Sequence, residues 1–251
     1  MQIYQRKHVL SALFVFLLSF SGTLFALGNS SIHAKRAPAA NLHIEKKRPE
    51  IYSGLKCCTC RESFDKCDCK EAKEIKAYVD ALLESGISKE EIFYKVAKKF
   101  SLNTILDPRA KADTEKRLIK DAGKKRPQIN AEPSYFDFGK VSKKQGTARK
   151  TFRLQNQGNS VLVINNVRVS CGCISASLKT EKNKSPYFSV SGAPLGWQES
   201  IAPENFAELE VVLDLNDESM GTGKQIRDVF VSSNDPLYPQ IAVRVEIEIG
   251  D

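Results

Sequence analysis

The chain has 251 residues, 41% of them hydrophobic and 27% charged, a balance that fits one large or two modest globular domains and excludes a disordered or fibrous protein. The formal charge of +8 is local: residues 127–251 carry thirteen Lys and Arg against fifteen Asp and Glu, while residues 106–126 carry eight against four. With the excess confined to the N-terminal stretch and a connector, no nucleic-acid partner is expected.

Residues 1–34 read as a signal peptide or N-terminal membrane anchor. Gln5-Arg6-Lys7-His8 leads into an uncharged run from Val9 to Leu27, longer than the ~7–15 residues of a signal core and close to the ~20 that span a bilayer. The expectation is export to the periplasm or cell envelope, with membrane attachment through residues 9–27 where the signal is retained. Such a compartment permits disulfides. Residues 35–50 read as a polar linker, and Pro49 makes a helix before Leu55 a poor prospect.

Residues 51–108 form a Cys-rich module. All three histidines precede residue 44, so His-dependent triads and Cys2His2 zinc sites are excluded. Five of the seven cysteines, Cys57, Cys58, Cys60, Cys67 and Cys69, fall within thirteen residues. Behind them, Ala72, Ile75, Val79, Leu82 and Leu83 recur at helical spacing, and Ser85-Gly86 supplies a stop. Ser88 and Glu91 read as a reciprocal capping box, with Ile87 and Ile92 as a hydrophobic staple. The second helix buries Ile92, Phe93, Val96, Ala97 and Phe100, giving a helical hairpin over residues 70–100.

Three chemistries suit the cysteines. Cys57-x-x-Cys60 has the spacing for a nucleophilic thiolate and its resolving partner, and Cys67 and Cys69 sit at a helix start that favours thiolates, so Cys58, Cys67 and Cys69 are further redox candidates. Cys57, Cys60, Cys67 and Cys69 also form a tetrathiolate set for zinc or an iron–sulfur cluster. The third reading is a structural disulfide knot in a module too small to bury much core.

Leu55-Lys56-Cys57-x-x-Cys60, the amphipathic helix, the Gly86-x-Ser88-x-x-Glu91-Ile92 turn and a second helix ending at Phe100 resemble the CcmH/CycL/NrfF family of cytochrome c maturation, with Lys56 replacing the usual Arg. The resemblance implies that Cys57 and Cys60 are a catalytic thiol–disulfide pair, acting on an exported protein partner such as apocytochrome c. Cys58, Cys67 and Cys69 are additions to the common motif, and no apolar span follows the module.

Residues 109–126 read as a basic linker holding at most a short solvated helix near Thr114–Ala122. From residue 127 the period changes to that of strands: 135–141, 150–155, 161–164, 167–174, 206–215, 226–232 and 240–249, divided by turn clusters. Seven short strands without a helix indicate a β-sandwich. The fold class is therefore α+β and multidomain, a small helical-hairpin module followed by an all-β immunoglobulin-like sandwich over residues 127–251.

Phe138-Gly139-x-Val141, Asn156-x-Gly158-Asn159, Ser170-Cys171-Gly172-Cys173, Ile201-x-Pro203 and Ser233-Asn234-Asp235-Pro236 together resemble a bacterial family of immunoglobulin-like domains of unknown function, similar to the ASH/MSP/Hydin group. The resemblance implies a binding or scaffolding role. Alternation puts Val167, Val169, Cys171 and Cys173 on one apolar face, where the two cysteines are packed thiols, a labile redox pair or a soft-metal contact. Two function classes follow: thiol–disulfide exchange in cysteine handling, and a non-enzymatic metal-binding or structural interaction protein of the envelope.

Overall fold

The computed structural model describes residues 38–57 and 60–250, with side chains from Ile44 onward. The expected signal or anchor over residues 1–34 and the thiol of Cys58 lie outside these residues. Among the described residues no helix is long and apolar enough to cross a membrane.

The hairpin forms where the punctuation places it: α2 spans Lys70–Glu84 and α3 spans Lys89–Lys99. Gly86 adopts φ +73°, and the Gly86 and Ile87 amides donate to the Leu83 and Leu82 carbonyls at 2.9 and 3.1 Å, the paired bonds of a Schellman stop. Ser88 caps α3 by accepting from the Glu91 amide at 3.3 Å. The reciprocal half of the capping box does not form. The Glu91 carboxylate pairs instead with Arg117 at 2.6 Å, because a guanidinium is a stronger partner than a single amide. Ser88→Ala is therefore expected to cost about 1 kcal/mol, read as a shift of the denaturant midpoint at constant m-value.

Two stretches expected to be linkers are helices. Residues 35–50 mostly belong to α1, Pro38–Ser53, with Pro49 inside it. Tertiary contacts outweigh the proline: Ile51 is 1% exposed, Arg48 Nε and the Tyr52 hydroxyl both donate to Asp80 Oδ1 on α2 at 2.9 and 3.0 Å, and Lys89 pairs with Glu50. Residues 109–126 mostly belong to α4, Pro108–Ala122. Pro108 stands at N1, where its missing N–H costs nothing, and Asp107 accepts from the Arg109 and Ala110 amides. Thr114 and Leu118 are buried, and Tyr94 of α3 donates to Asp121 at 2.6 Å, so α4 is part of the helical layer.

The remainder is a β-sandwich of two sheets. The strands are β1 Ile129–Glu132, β2 Tyr135–Ser142, β3 Thr147–Asn156, β4 Leu162–Val169, β5 Ile174–Lys179, β6 Glu199–Ile201, β7 Phe206–Asp214, β8 Gly223–Ser233 and β9 Gln240–Gly250. One sheet has the order β1-β3-β7-β5 and the other β2-β9-β8-β4-β6. All pairs are antiparallel except β2 with β9. The strand expected over 167–174 breaks at Val169, because the chain there passes from one sheet to the other. Alternation therefore cannot be carried through Cys171.

Asn156, fully buried, ties three segments together. Its Nδ2 donates to the Ser160 and Ile201 carbonyls at 2.8 and 3.0 Å, and its Oδ1 accepts from the Gly158 and Gln128 amides. Gly158 is needed for close approach, since a Cβ there would stand 2.4 Å from the Arg126 carbonyl oxygen.

Helices and sandwich form one compact unit from Pro38 onward. The turn between β8 and β9 carries Leu237 into the helical core beside Ile105 and Leu118, and the Leu102 amide donates to the Leu237 carbonyl at 2.9 Å. Arg168 of β4 pairs with Glu71 of α2 at 3.7 Å.

Candidate metal centre

The cysteine loop is shaped by its backbone. The Lys56 amide donates to the Thr104 carbonyl at 2.8 Å, the Phe64 amide returns to the Leu55 carbonyl at 3.1 Å, and the Cys57 amide donates to the Glu62 carbonyl at 2.9 Å. Fully buried Leu55 and Phe64 anchor the loop from below. Arg61, immediately after Cys60, sits at φ 60°, a conformation unusual for a side-chain-bearing residue, and its amide closes back on the Cys57 carbonyl at 3.1 Å. That tight return folds Cys60 back towards Cys57. The loop ends with Cys69 as the N-cap of α2, its sulfur accepting from the Ala72 amide at 3.4 Å.

The result is a cluster of four sulfurs. The Sγ atoms of Cys57, Cys60, Cys67 and Cys69 lie within 4.8 Å of one another. Cys57 and Cys69 are 3.3 Å apart and Cys67 and Cys69 3.6 Å. A tetrahedral ion with metal–sulfur bonds of ~2.3 Å sets its sulfurs about 3.8 Å apart, so the four thiols are close enough to bind a metal. Cys57 and Cys67 are buried and Cys60 faces solvent.

Although the residue faces solvent, partial desolvation of its sulfur against the other thiols pushes Cys60 up to about 11, with the Cys67 thiol adding to the rise. Cys69 is also pushed upward by burial, and the Ala72 amide that opposes this is outweighed. The helix start that was expected to favour a thiolate at Cys69 therefore does not prevail: removing sulfur from water costs more than one amide returns. On the flank, burial and the positive charges of Lys111 and Arg61 lower Lys56, marking a local concentration of cations beside the thiols. Lys56, Cys57 and Arg61 also line a groove of about 570 Å³ whose far wall is Gln128–Ala131 and Gln240–Ala242 of the sandwich. No sequence pattern marks this groove, because its walls are distant in the chain.

The second cysteine group stands apart, in the sandwich. Cys171 and Cys173 form a disulfide in the passage between β4 and β5, so they are neither two packed thiols nor members of the four-sulfur cluster. Arg227 Nε donates to Cys173 Sγ at 3.0 Å, a partner 54 positions away that no local pattern announces.

By family model, comparison with known proteins reaches only part of the sandwich. No curated protein matches the chain in sequence. A Porphyromonas gingivalis W83 protein of unknown function is 17% identical over 50% of this chain and 48% of its own, with a TM-score of 0.38. This chain thus spans about half of that protein. The ASH/PapD-like domain 7 of human CEP192 is 13% identical over 50% of this chain and 86% of its own, with a TM-score of 0.27. WR4, a C. elegans MSP family member, is 10% identical over 49% and 97%, also with a TM-score of 0.27. Residues 129–186, from β1 to just beyond β5, match the family described as "Protein of unknown function (DUF1573)", and the helical module with its four cysteines lies outside that match.

Proposed function

We propose that the four-cysteine loop holds one zinc ion as a structural centre, and that the chain is an exported, non-enzymatic envelope protein whose helical layer and sandwich present a binding surface. The convergence of four sulfurs within 4.8 Å carries the reading. Four protein ligands leave no open position for substrate, as in structural rather than catalytic zinc sites. An iron–sulfur cluster fits less well, because thiolates bound to different iron atoms stand further apart than the 4.8 Å within which all four sulfurs lie here. Export is supported by the cationic flank and the apolar run at 9–27, and by the Cys171–Cys173 disulfide, which belongs in an oxidising compartment.

Thiol–disulfide exchange at Cys57 and Cys60, in cysteine handling related to cytochrome c maturation, is the second reading. The C-x-x-C spacing and the exposure of Cys60 support it. Against it, the upward shift of Cys60 runs opposite to that of an activated nucleophile. Metal analysis of protein purified without added zinc separates the two. The zinc reading expects one equivalent per chain, lost in Cys60→Ser, whose exposed position makes it the mildest ligand change. Metal-free protein with one readily reduced Cys57–Cys60 disulfide would favour exchange.

A further inference from the structure

The Cys171–Cys173 disulfide takes no part in the zinc centre and has a different environment. It occupies the crossing from β4 in one sheet to β5 in the other, and both ends of the crossing are pinned. The Ser170 amide donates to the Asp228 carbonyl at 3.0 Å, the Asp228 amide returns to Ser170 Oγ at 3.1 Å, and the Asp214 amide donates to the Cys173 carbonyl at 2.9 Å. The two sulfurs are unequal: Cys173 is 1% exposed within the sandwich core, whereas Cys171 is half-buried beside exposed Gly172.

Arg227 singles out the buried sulfur. Its Nε points at Cys173 Sγ at 3.0 Å, while the rest of the guanidinium is held by the Ser219 carbonyl, Gln225 Oε1 and the Ile226 carbonyl at 3.0, 3.0 and 2.8 Å. A disulfide sulfur is a weak acceptor, so this contact contributes little while the bond is intact. It becomes a charge-assisted hydrogen bond once the sulfur carries a negative charge.

We propose that Cys171–Cys173 is a thiol–disulfide exchange site in which Cys171 Sγ is attacked, Cys173 leaves as a thiolate held by Arg227, and the reductant is a dithiol protein. The partner's thiolate bonds to Cys171 Sγ, the Cys171–Cys173 bond breaks, and its electron pair passes to Cys173 Sγ. The partner's second thiolate then attacks its own sulfur in the mixed disulfide and releases Cys171 as a thiolate that takes a proton from water. Two electrons have moved: the partner is oxidised to a disulfide and the Cys171/Cys173 pair is reduced. The flanking hydrogen bonds hold the two Cα atoms 5.5 Å apart, inside the range a disulfide needs, so the reverse exchange closes the bond again.

The test equilibrates the full chain in graded mixtures of reduced and oxidised dithiothreitol, quenches with acid, alkylates, and weighs the peptide that holds both cysteines. The expected result is a reversible two-thiol transition in a protein that stays folded by circular dichroism. In a time course with reduced dithiothreitol, Arg227→Met is expected to slow reduction about tenfold or more, the worth of a hydrogen bond to a charged sulfur. Gln225→Ala removes one tie to the guanidinium but not the contact with sulfur, and should be reduced at the wild-type rate, which separates charge stabilisation from packing. With oxidised glutathione, Cys173→Ser should form a mixed disulfide at Cys171, and Cys171→Ser should leave Cys173 unmodified. Equal reduction rates in Arg227→Met and wild type, preferential modification of Cys173, or reduction only on unfolding would each overturn the proposal.

Discussion

Chelating zinc from the four-cysteine loop is expected to unfold residues 55–69 and loosen the helices packed on them, while the sandwich stays folded. The described residues of that loop form no helix and are tied down by isolated bridges, Leu55 to Ile105 and Lys56 to Ser63. Its buried groups are few, chiefly Leu55, Cys57, Phe64 and Cys67. In peptides that fold only around zinc, metal binding supplies roughly 10–16 kcal/mol that serves as folding free energy. Here α2, α3 and α4 share a core without the metal, so the loss is a fraction of that, on the order of 5 kcal/mol. Hydrogen exchange should show protection vanishing over 55–75 on chelation and returning with added zinc, with β3, β7 and β8 unchanged. Unaltered protection after the metal has left would sink the structural role.

Proton linkage gives the same experiment a second readout. Cys60 and Cys69 are both shifted upward, Cys60 from 9.0 to about 11, so both are protonated at neutral pH and zinc must displace at least these two protons on binding. Titration calorimetry in buffers of different ionisation enthalpy measures that release. The sign differs between the two forms. In the metal-free protein the raised value at Cys60 adds stability below the ordinary thiol range, and this is lost as the pH climbs from 9 towards 11. The loaded protein has no thiol protons to lose there, and it is acid that competes for its sulfurs.

What the sequence announced and what it concealed divide along physical lines. The α2–α3 hairpin was legible because each stop and start uses a residue with one dominant role, Gly86 at positive φ and Ser88 as a cap, and because the apolar stripes are unbroken. α1 and α4 were not. Pro49 is a strong local signal against a helix, overruled by the ties of Arg48 and Tyr52 to Asp80, and the buried face of α4 is made of Thr114 and Leu118, too sparse to stand out. In the sandwich, alternation identified the buried face of β4 at Val167 and Val169. It failed at Ser170–Cys173, where the chain changes sheets. The four metal-ligating candidates were readable from spacing alone, since Cys57, Cys60, Cys67 and Cys69 are close in sequence as well as in space. The contact of Arg227 with Cys173 depends on register across the sandwich, which no local reading supplies.

Removing the Asp235 side chain is expected to cost about 3 kcal/mol or more and to detach the helical layer from the sandwich. Asp235 is 2% exposed. Its Oδ2 accepts from the Ile129 amide of β1 at 2.8 Å, and its Oδ1 accepts from the Leu237 and Tyr238 amides at 2.8 and 3.1 Å. One carboxylate thus fixes the start of the first strand and shapes the turn that delivers Leu237 to the helical core. Asp235→Ala removes the acceptor of three amides, those of Ile129 and Leu237 buried and that of Tyr238 partly so, and each unmet buried donor costs roughly 1–3 kcal/mol, less than additively because the turn can relax. Leu237→Ala removes the apolar plug without touching the turn and should cost about 2–3 kcal/mol. If the carboxylate is the clamp, Asp235→Ala will lower the stability of both layers and raise hydrogen exchange in α3 and α4 as well as at β1. Leu237→Ala will act on the helices alone. A wild-type denaturation profile for Asp235→Ala would show that the turn holds its shape without the side chain, and that the two layers are joined by apolar packing.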